Sequence, residues 1–368
     1  MLIADVIKTI EQWAPTQLQE SYDNAGLIVG NAAETCTGII CSLDATEEVV
    51  DEAIAAGANL VVAHHPIIFS GLKKITGRNY VERTVIKAIR NGISLYACHT
   101  NLDNLMEGVN GRMADRLGLI NRSILAPKSQ TLKKLYTFCP VHHAEKLRQA
   151  LFAAGAGQLG NYSSCSFNTE GEGTFKAGEG ANPFVGEIGE LHRERELRIE
   201  VVFPAHLEST VVRAMRNAHP YEEVAFDVVT LSNTHPTIGA GLLGELPEAI
   251  EYQAFLKLLQ QQFNLSALKY TRPPARPVKR VALCGGAGSF LISSALASRA
   301  DAFVTADVKY HEFFDADGNL LLVDIGHYES EQFTIGLLQE FLVEKFTTFA
   351  VLKTKVETNP VRYFSAES

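Results

Sequence analysis

Asn59-Leu60-Val61-Val62-Ala63-His64-His65-Pro66-Ile67-Ile68-Phe69 is the stretch around which the chain is organised. Leu60–Ala63 is apolar, rich in β-branched residues and without polar alternation, which predicts a short strand buried on both faces. Two histidines follow at its end, and Pro66 stops the ladder because it has no N–H to give. Neighbouring side chains on a strand point to opposite faces, so both imidazoles can serve one site only where the backbone is leaving the sheet. In open α/β sheets the crevice beyond the carboxyl ends of the strands is where ligands bind.

Outward from this stretch the pattern is βαβ. Residues 1–13 carry apolar positions three and four apart and read as a surface helix. Ser21–Gly26 is a polar loop. Gly38–Leu43 reads as a strand, Asp44-Ala45-Thr46 as the opening of a helix with Thr46 at its cap, and Gly57 as that helix's end. Asp44 is expected to cap this helix. A further helix, Val81–Asn91, delivers the strand Ile93–Cys98, which ends in His99-Thr100-Asn101-Leu102-Asp103. The last third repeats the order: strand Arg280–Gly285, helix Ser289–Arg299, strand Asp301–Ala306, the polar run Asp307-Val308-Lys309-Tyr310-His311-Glu312, strand Leu320–Asp324, then a helix from His327 to about Lys345. The expectation is an α/β fold of two similar halves facing one cleft.

Residues 128–247 differ in character. Strands at Leu132–Cys139, Leu197–Phe203 and Glu223–Val229, helices at Ala144–Ala154 and Leu207–Ala218, and a Gly-punctuated hairpin (Asn161–Phe167 with Gly171–Lys176) suggest an inserted ferredoxin-like α+β module. The expected domains are therefore residues 1–127 and 248–368, forming one metal-binding α/β domain, and the insertion 128–247.

The totals exclude several classes. Net charge is −9 and the pI about 5.7, so nothing marks a nucleic-acid or anionic-membrane surface. No apolar run reaches membrane-spanning length, and the N-terminus lacks a signal-peptide pattern. Six cysteines with no C-x-x-C spacing sit mostly inside strand-like runs, as small hydrophobes do; a reduced, cytoplasmic setting is the expectation.

His64, His65, Asp103, His327 and Glu331 form the strongest constellation. His327 and Glu331 are spaced i, i+4 and share a helix face. The other three follow strand ends. Three imidazoles and two carboxylates exceed what one catalytic zinc with an open position uses, and fit two divalent ions about 3.5–4 Å apart. Mixed N/O ligation suits Zn, Mn, Fe or Co. His99, Asn101, Lys309, Tyr310 and His311 are candidates for orienting ligands or moving protons. Cys284–Gly288, between strand and helix, reads as a tight turn with phosphate cradling as the lesser alternative.

His64-His65-Pro66, His99-Thr100-Asn101-Leu102-Asp103, Asp307–His311 and Gly326-His327-Tyr328-Glu329-Ser330-Glu331 together resemble the GTP cyclohydrolase I type 2 homologue family, also called Nif-three-like. The likeness runs from Tyr22 to Phe364. It implies a dinuclear metal site on the five residues above, a toroidal homohexamer with sites facing its cavity, and a PII- or CutA-like identity for the insertion. Ala306 departs from the Gly expected before Asp307, which bears on substrate approach. The implied activity is hydrolysis by a metal-activated water on a nucleotide or other heterocycle. A phosphoesterase or nucleotidase would use the same ligands, and a non-catalytic metal-binding or regulatory assembly is the alternative from another class.

Overall fold

Leu60, Val61, Val62 and Ala63 form a four-residue strand with every side chain buried, as an apolar run without alternation requires. In the computed structural model, which describes residues 1–364, this strand lies at the centre of a five-stranded sheet. Its neighbours are Ile39–Ser42 and Ser94–Ala97, both parallel to it; Val351–Lys353 extends one edge in parallel and Gly26–Val29 closes the other antiparallel. A second, six-stranded mixed sheet runs in the order Lys269–Tyr270, Leu321–Asp324, Ala302–Ala306, Val278–Ala287, Gly239–Ile250, Ile120–Pro127. Its three central strands, from Leu321–Asp324 to Val278–Ala287, are parallel.

Local chemistry sets the helices. Thr46 accepts a hydrogen bond from Val49 N and begins the helix Glu47–Ala55. Asn79 caps Tyr80–Arg90 by accepting from Glu82 N at 2.9 Å, while Glu82 reaches back to the N–H groups of Thr76 and Arg78. The five-stranded sheet is packed on both faces, which is why its central strands are mainly apolar. Ile39, Leu60, Val62 and Tyr96 pack with the N-terminal helix and Leu338, whereas Ile40, Val61 and Leu95 pack with Val49, Val50 and Val85.

The chain forms two compact units, Met1–Ala126 with Thr237–Ser368, and Pro127–Pro236. Gly239–Ile250 pairs antiparallel with Val278–Ala287, so the chain from Thr237 onward belongs to the first unit. In the second unit a four-stranded antiparallel sheet runs Phe167–Lys176, Leu191–Pro204, Leu132–Pro140, Phe226–Thr230. Helices Ala144–Ala153 and Glu208–Ala218 share a core with one face of it through Leu147, Leu151, Val211 and Met215.

Three local readings change. The hairpin expected at 161–176 is a single strand, Phe167–Lys176, paired with Leu191–Pro204. Gly171 and Gly173 lie inside it rather than at a turn; a Cβ on Gly173 would stand 2.2 Å from Glu196 Oε2. The long helix from His327 is broken into His327–Glu331 and Thr334–Lys345. At the break Gln332 Nε2 donates to Phe263 O, and the Phe333 ring packs 5.9 Å from that of Phe263. The helix expected at 289–299 narrows to Ile292–Ala297 after a 3-10 turn.

Candidate metal centre

The ladder carries the backbone two residues past Ala63, with His64 N donating to Ser42 O and His65 N to Leu43 O, and then Pro66 ends it. The two imidazoles that leave this end lie with centroids 4.9 Å apart. His64 is fully buried. The short helix Thr100–Asp103 brings Asp103 Oδ1 to 3.6 Å from His64 Nε2. From the second sheet, the strand Leu321–Asp324 leads through Gly326 into His327–Glu331. Glu331 Oε1 lies 3.8 Å from His64 Nε2, and Glu331 Oε2 lies 2.9 Å from His65 Nε2 and 3.1 Å from His327 Nε2. His65 and His327, 262 residues apart, have their Nε2 atoms within 3.3 Å. All five residues singled out from the sequence therefore meet.

One pattern recurs at every imidazole. Nδ1 of His64 faces Cys98 O at 2.8 Å, His65 faces Asp44 Oδ1 at 2.8 Å, His327 faces Asp307 Oδ2 at 2.7 Å, and His99 faces Asp23 Oδ1 at 2.7 Å. Carbonyl and carboxylate oxygens accept, so each Nδ1 carries a proton and each Nε2 is the ring nitrogen left facing the cluster. Outer partners of this kind fix the tautomer and orientation of metal-ligating histidines.

Two donor groups result. His64, His65 and His99 have ligand atoms within 4.8 Å of one another, as do His65, His327 and Glu331, with His65 common to both. His99, read from sequence as a supporting residue, thus stands among the converging donors. Its signal was in the chain: it follows a strand end just as His64 does.

The residues fit divalent cations on observations independent of any family. His64 Nε2, Asp103 Oδ1 and Glu331 Oε2 are buried and make no hydrogen bond, despite the short separations just given. Buried polar atoms are ordinarily satisfied, so three in one cluster mark a missing partner. A cation would supply it. Burial opposes charge on His65, but Glu331 and Asp44 outweigh it and push the imidazole up to about 10; His327 rises to about 9 against the same burial, through Glu331 and Asp307. Gly286 leaves the necessary space, since a Cβ there would lie 2.4 Å from Glu331 Oε1 and 3.3 Å from His327 Nε2. A cavity of about 760 Å³ opens over the cluster, bordered by Tyr22, Phe69 and Tyr363.

The remaining candidates fall elsewhere. Asn101 is buried; it accepts from His99 N and donates to Ala14 O, so it braces the turn that carries His99. Lys309, which precedes the 3-10 segment Tyr310–Ala316, and Tyr310 and His311 on it are exposed and do not border the cavity. Asp44 does not cap its helix. Thr46 takes that place, freeing Asp44 to hold His65 and to accept from Thr358 Oγ1 at 2.6 Å. In Cys284–Gly288 the N–H of Gly285 donates to Asn110 Oδ1 and that of Gly286 to Ser330 Oγ, so neither is available to a phosphate. Ala306 is fully buried, and its methyl does not border the cavity.

The profile of the Duf34/NIF3 (NGG1p interacting factor 3) family matches residues 1–360. The chain belongs to the DUF34/NIF3 family. A Halalkalibacterium halodurans relative named GTP cyclohydrolase 1 type 2 homolog is 40% identical over 364 residues, covering 97% of this chain and 98% of its own. A Bacillus subtilis protein of the same name is 35% identical and covers 97% of each chain. Among solved structures, a Bacillus cereus protein related to NIF3 has a TM-score of 0.87 at 38% identity, covering 99% of both chains. Staphylococcus aureus protein SA1388 gives 0.78 at 29% identity, again with 99% of both chains covered. This DUF34/NIF3 chain thus matches these relatives from end to end, the segment 127–236 included. No helix among its described residues is long and apolar enough to cross a membrane.

Proposed function

We propose that this DUF34/NIF3 protein is a dinuclear metal-dependent hydrolase acting on a nucleotide or related heterocycle. His64, His65, Asp103, His327 and Glu331 would hold two divalent ions of the Zn, Mn, Fe or Co class, with His99 beside them. The observation that carries this reading is the convergence of three buried, unbonded polar atoms from segments far apart in sequence, His64 Nε2, Asp103 Oδ1 and Glu331 Oε2. When bound, such ions supply Lewis acidity and lower the pKa of a water towards neutrality.

The chain's own residues do the rest. Cys98 O, Asp44, Asp307 and Asp23 hold four imidazoles in one tautomer, so that the donors need not reorganise. Burial of His64 and Glu331 excludes water from the floor of the site. Tyr22 and Phe69 stand exposed on the cavity wall, where rings suit stacking on a planar heterocycle. With the Gly285 and Gly286 N–H groups already paired, that wall favours a ring substrate over a bare phosphoester.

The same reading takes the two sheets as similar halves facing one cleft. It takes the Pro127–Pro236 unit as the inserted ferredoxin-like, PII- or CutA-like module, a view supported by its β-α-β-β-α-β order and strand arrangement. A cytoplasmic, toroidal homohexamer is the proposed assembly.

The test is elemental analysis of the purified protein, followed by incubation with GTP and detection of formate and a ring-opened product. About two ions per chain and turnover lost in His64→Ala are expected. Turnover no greater than that of the variant overturns the cyclohydrolase reading.

A further inference from the structure

The second unit has chemistry that the metal reading does not use. On the strand Leu191–Pro204, alternate residues Leu197, Ile199, Val201 and Phe203 face the helices, while Glu196 and Arg198 face the other side of the sheet. There a cavity of about 670 Å³ lies over the strands. Glu196 is only 9% exposed at its base. Its Oε1 accepts from the Tyr221 hydroxyl at 2.7 Å, a neutral donor, and no ion pair is made to it among the described residues. A buried carboxylate without a cation is costly and calls for a positive partner.

The surroundings choose the kind of partner. Phe175 and Phe184 flank Tyr221 with centroids 6.3 and 6.2 Å away, so three rings line the cavity that holds the carboxylate. Ring faces attract cations. The other charged groups on the wall are mostly engaged. Glu170 pairs with Arg195, Glu172 with Arg193, and Glu222 accepts from Asn182 N. Arg198 lies over the Tyr136 ring at 4.6 Å and pairs with Glu200. Glu223 adds to the negative side, and Lys176 sits exposed at the end of its strand. An anion would meet Glu196 head-on. A divalent metal would need several donors, and the two groups of three found among the described residues are both in the first unit. Gly173 makes room for the carboxylate, because a Cβ there would overlap Glu196 Oε2.

We propose that this cavity binds an organic cation, an amine, guanidinium or quaternary ammonium on an apolar body, with Glu196 as counter-ion and Phe175, Phe184 and Tyr221 as its cage. The site is independent of the metal centre and stands or falls without it.

The probe is benzyltrimethylammonium, titrated calorimetrically into the full-length protein, with benzyl alcohol as the neutral control. The cation should bind and the alcohol should not compete. Glu196→Gln keeps an acceptor for Tyr221 but removes the charge, and should weaken binding at least about tenfold. Phe184→Ala alters an exposed ring with little risk to folding and should weaken it about fivefold. His64→Ala should bind the probe as wild type does, which separates this cavity from the one in the first unit. Failure of the wild-type protein to bind the probe overturns the proposal. So does equal binding by wild type and Glu196→Gln, or, should that variant misfold, by wild type and Phe184→Ala.

Discussion

Thr358 Oγ1 donates to Asp44 Oδ2 at 2.6 Å across 314 residues of chain, and the other oxygen of that carboxylate accepts the Nδ1 proton of His65 at 2.8 Å. The C-terminal segment therefore reaches His65, a proposed metal ligand, through one intermediary. Next to it, Asn359 Nδ2 donates to the buried Glu329 at 3.2 Å, within the same short helix as His327 and Glu331. Thr358→Val should lower divalent-metal affinity by no more than about tenfold, the lower end for losing a group bonded directly to a ligand, because Thr358 acts through Asp44. Competition against a chromophoric chelator measures it. An unchanged affinity would mean that Asp44 holds His65 without help.

Metal removal should destabilise the fold. A cation bound only by the folded chain contributes about 2.7 kcal/mol when present at a hundredfold excess over its Kd. Calorimetric Tm should rise with Zn or Mn concentration and fall after chelation. A Tm indifferent to metal would argue that the imidazoles and carboxylates are satisfied by protons alone.

Gly286 and Gly57 separate backbone strain from crowding. Both have positive φ, +62° and +67°, but a Cβ at Gly57 meets nothing within 4 Å, whereas at Gly286 it meets Glu331. Gly57→Ala should cost about 1 kcal/mol and leave metal content intact. Gly286→Ala should cost at least about 2 kcal/mol and also deplete metal. Urea unfolding with parallel elemental analysis checks both, and equal metal content would remove Gly286 from the site.

Leu60→Ala tests the strand that presents the histidines. Leu60 is fully buried between layers, so truncation should cost about 2–5 kcal/mol, measured by urea unfolding. A loss under about 1 kcal/mol would mean that the layers collapse around the gap.

Much of the first unit was legible because its signals are local. Apolar runs without alternation marked Leu60–Ala63, Ser94–Ala97 and Ala302–Ala306, and Thr46 and Gly57 marked the ends of one helix. Where a distant partner outweighed a local preference, the reading changed. Contacts with Phe263 accompany the helix break after Glu331, and pairing with Leu191–Pro204 places Gly173 inside a strand rather than at a turn. The role of Asp44 was hidden for the same reason: a carboxylate near a helix start reads as a cap until His65 and Thr358 are seen beside it.

By itself the sequence determined which residues could be donors, because imidazole and carboxylate chemistry is written in the residue types and their places at strand ends. Only the tertiary structure decided that these donors share one site, which nitrogen of each histidine faces it, and that His99 stands among them. Those facts depend on distances between segments up to hundreds of residues apart, such as the 3.3 Å from His65 to His327. Such distances follow from how two sheets pack, which no local pattern encodes.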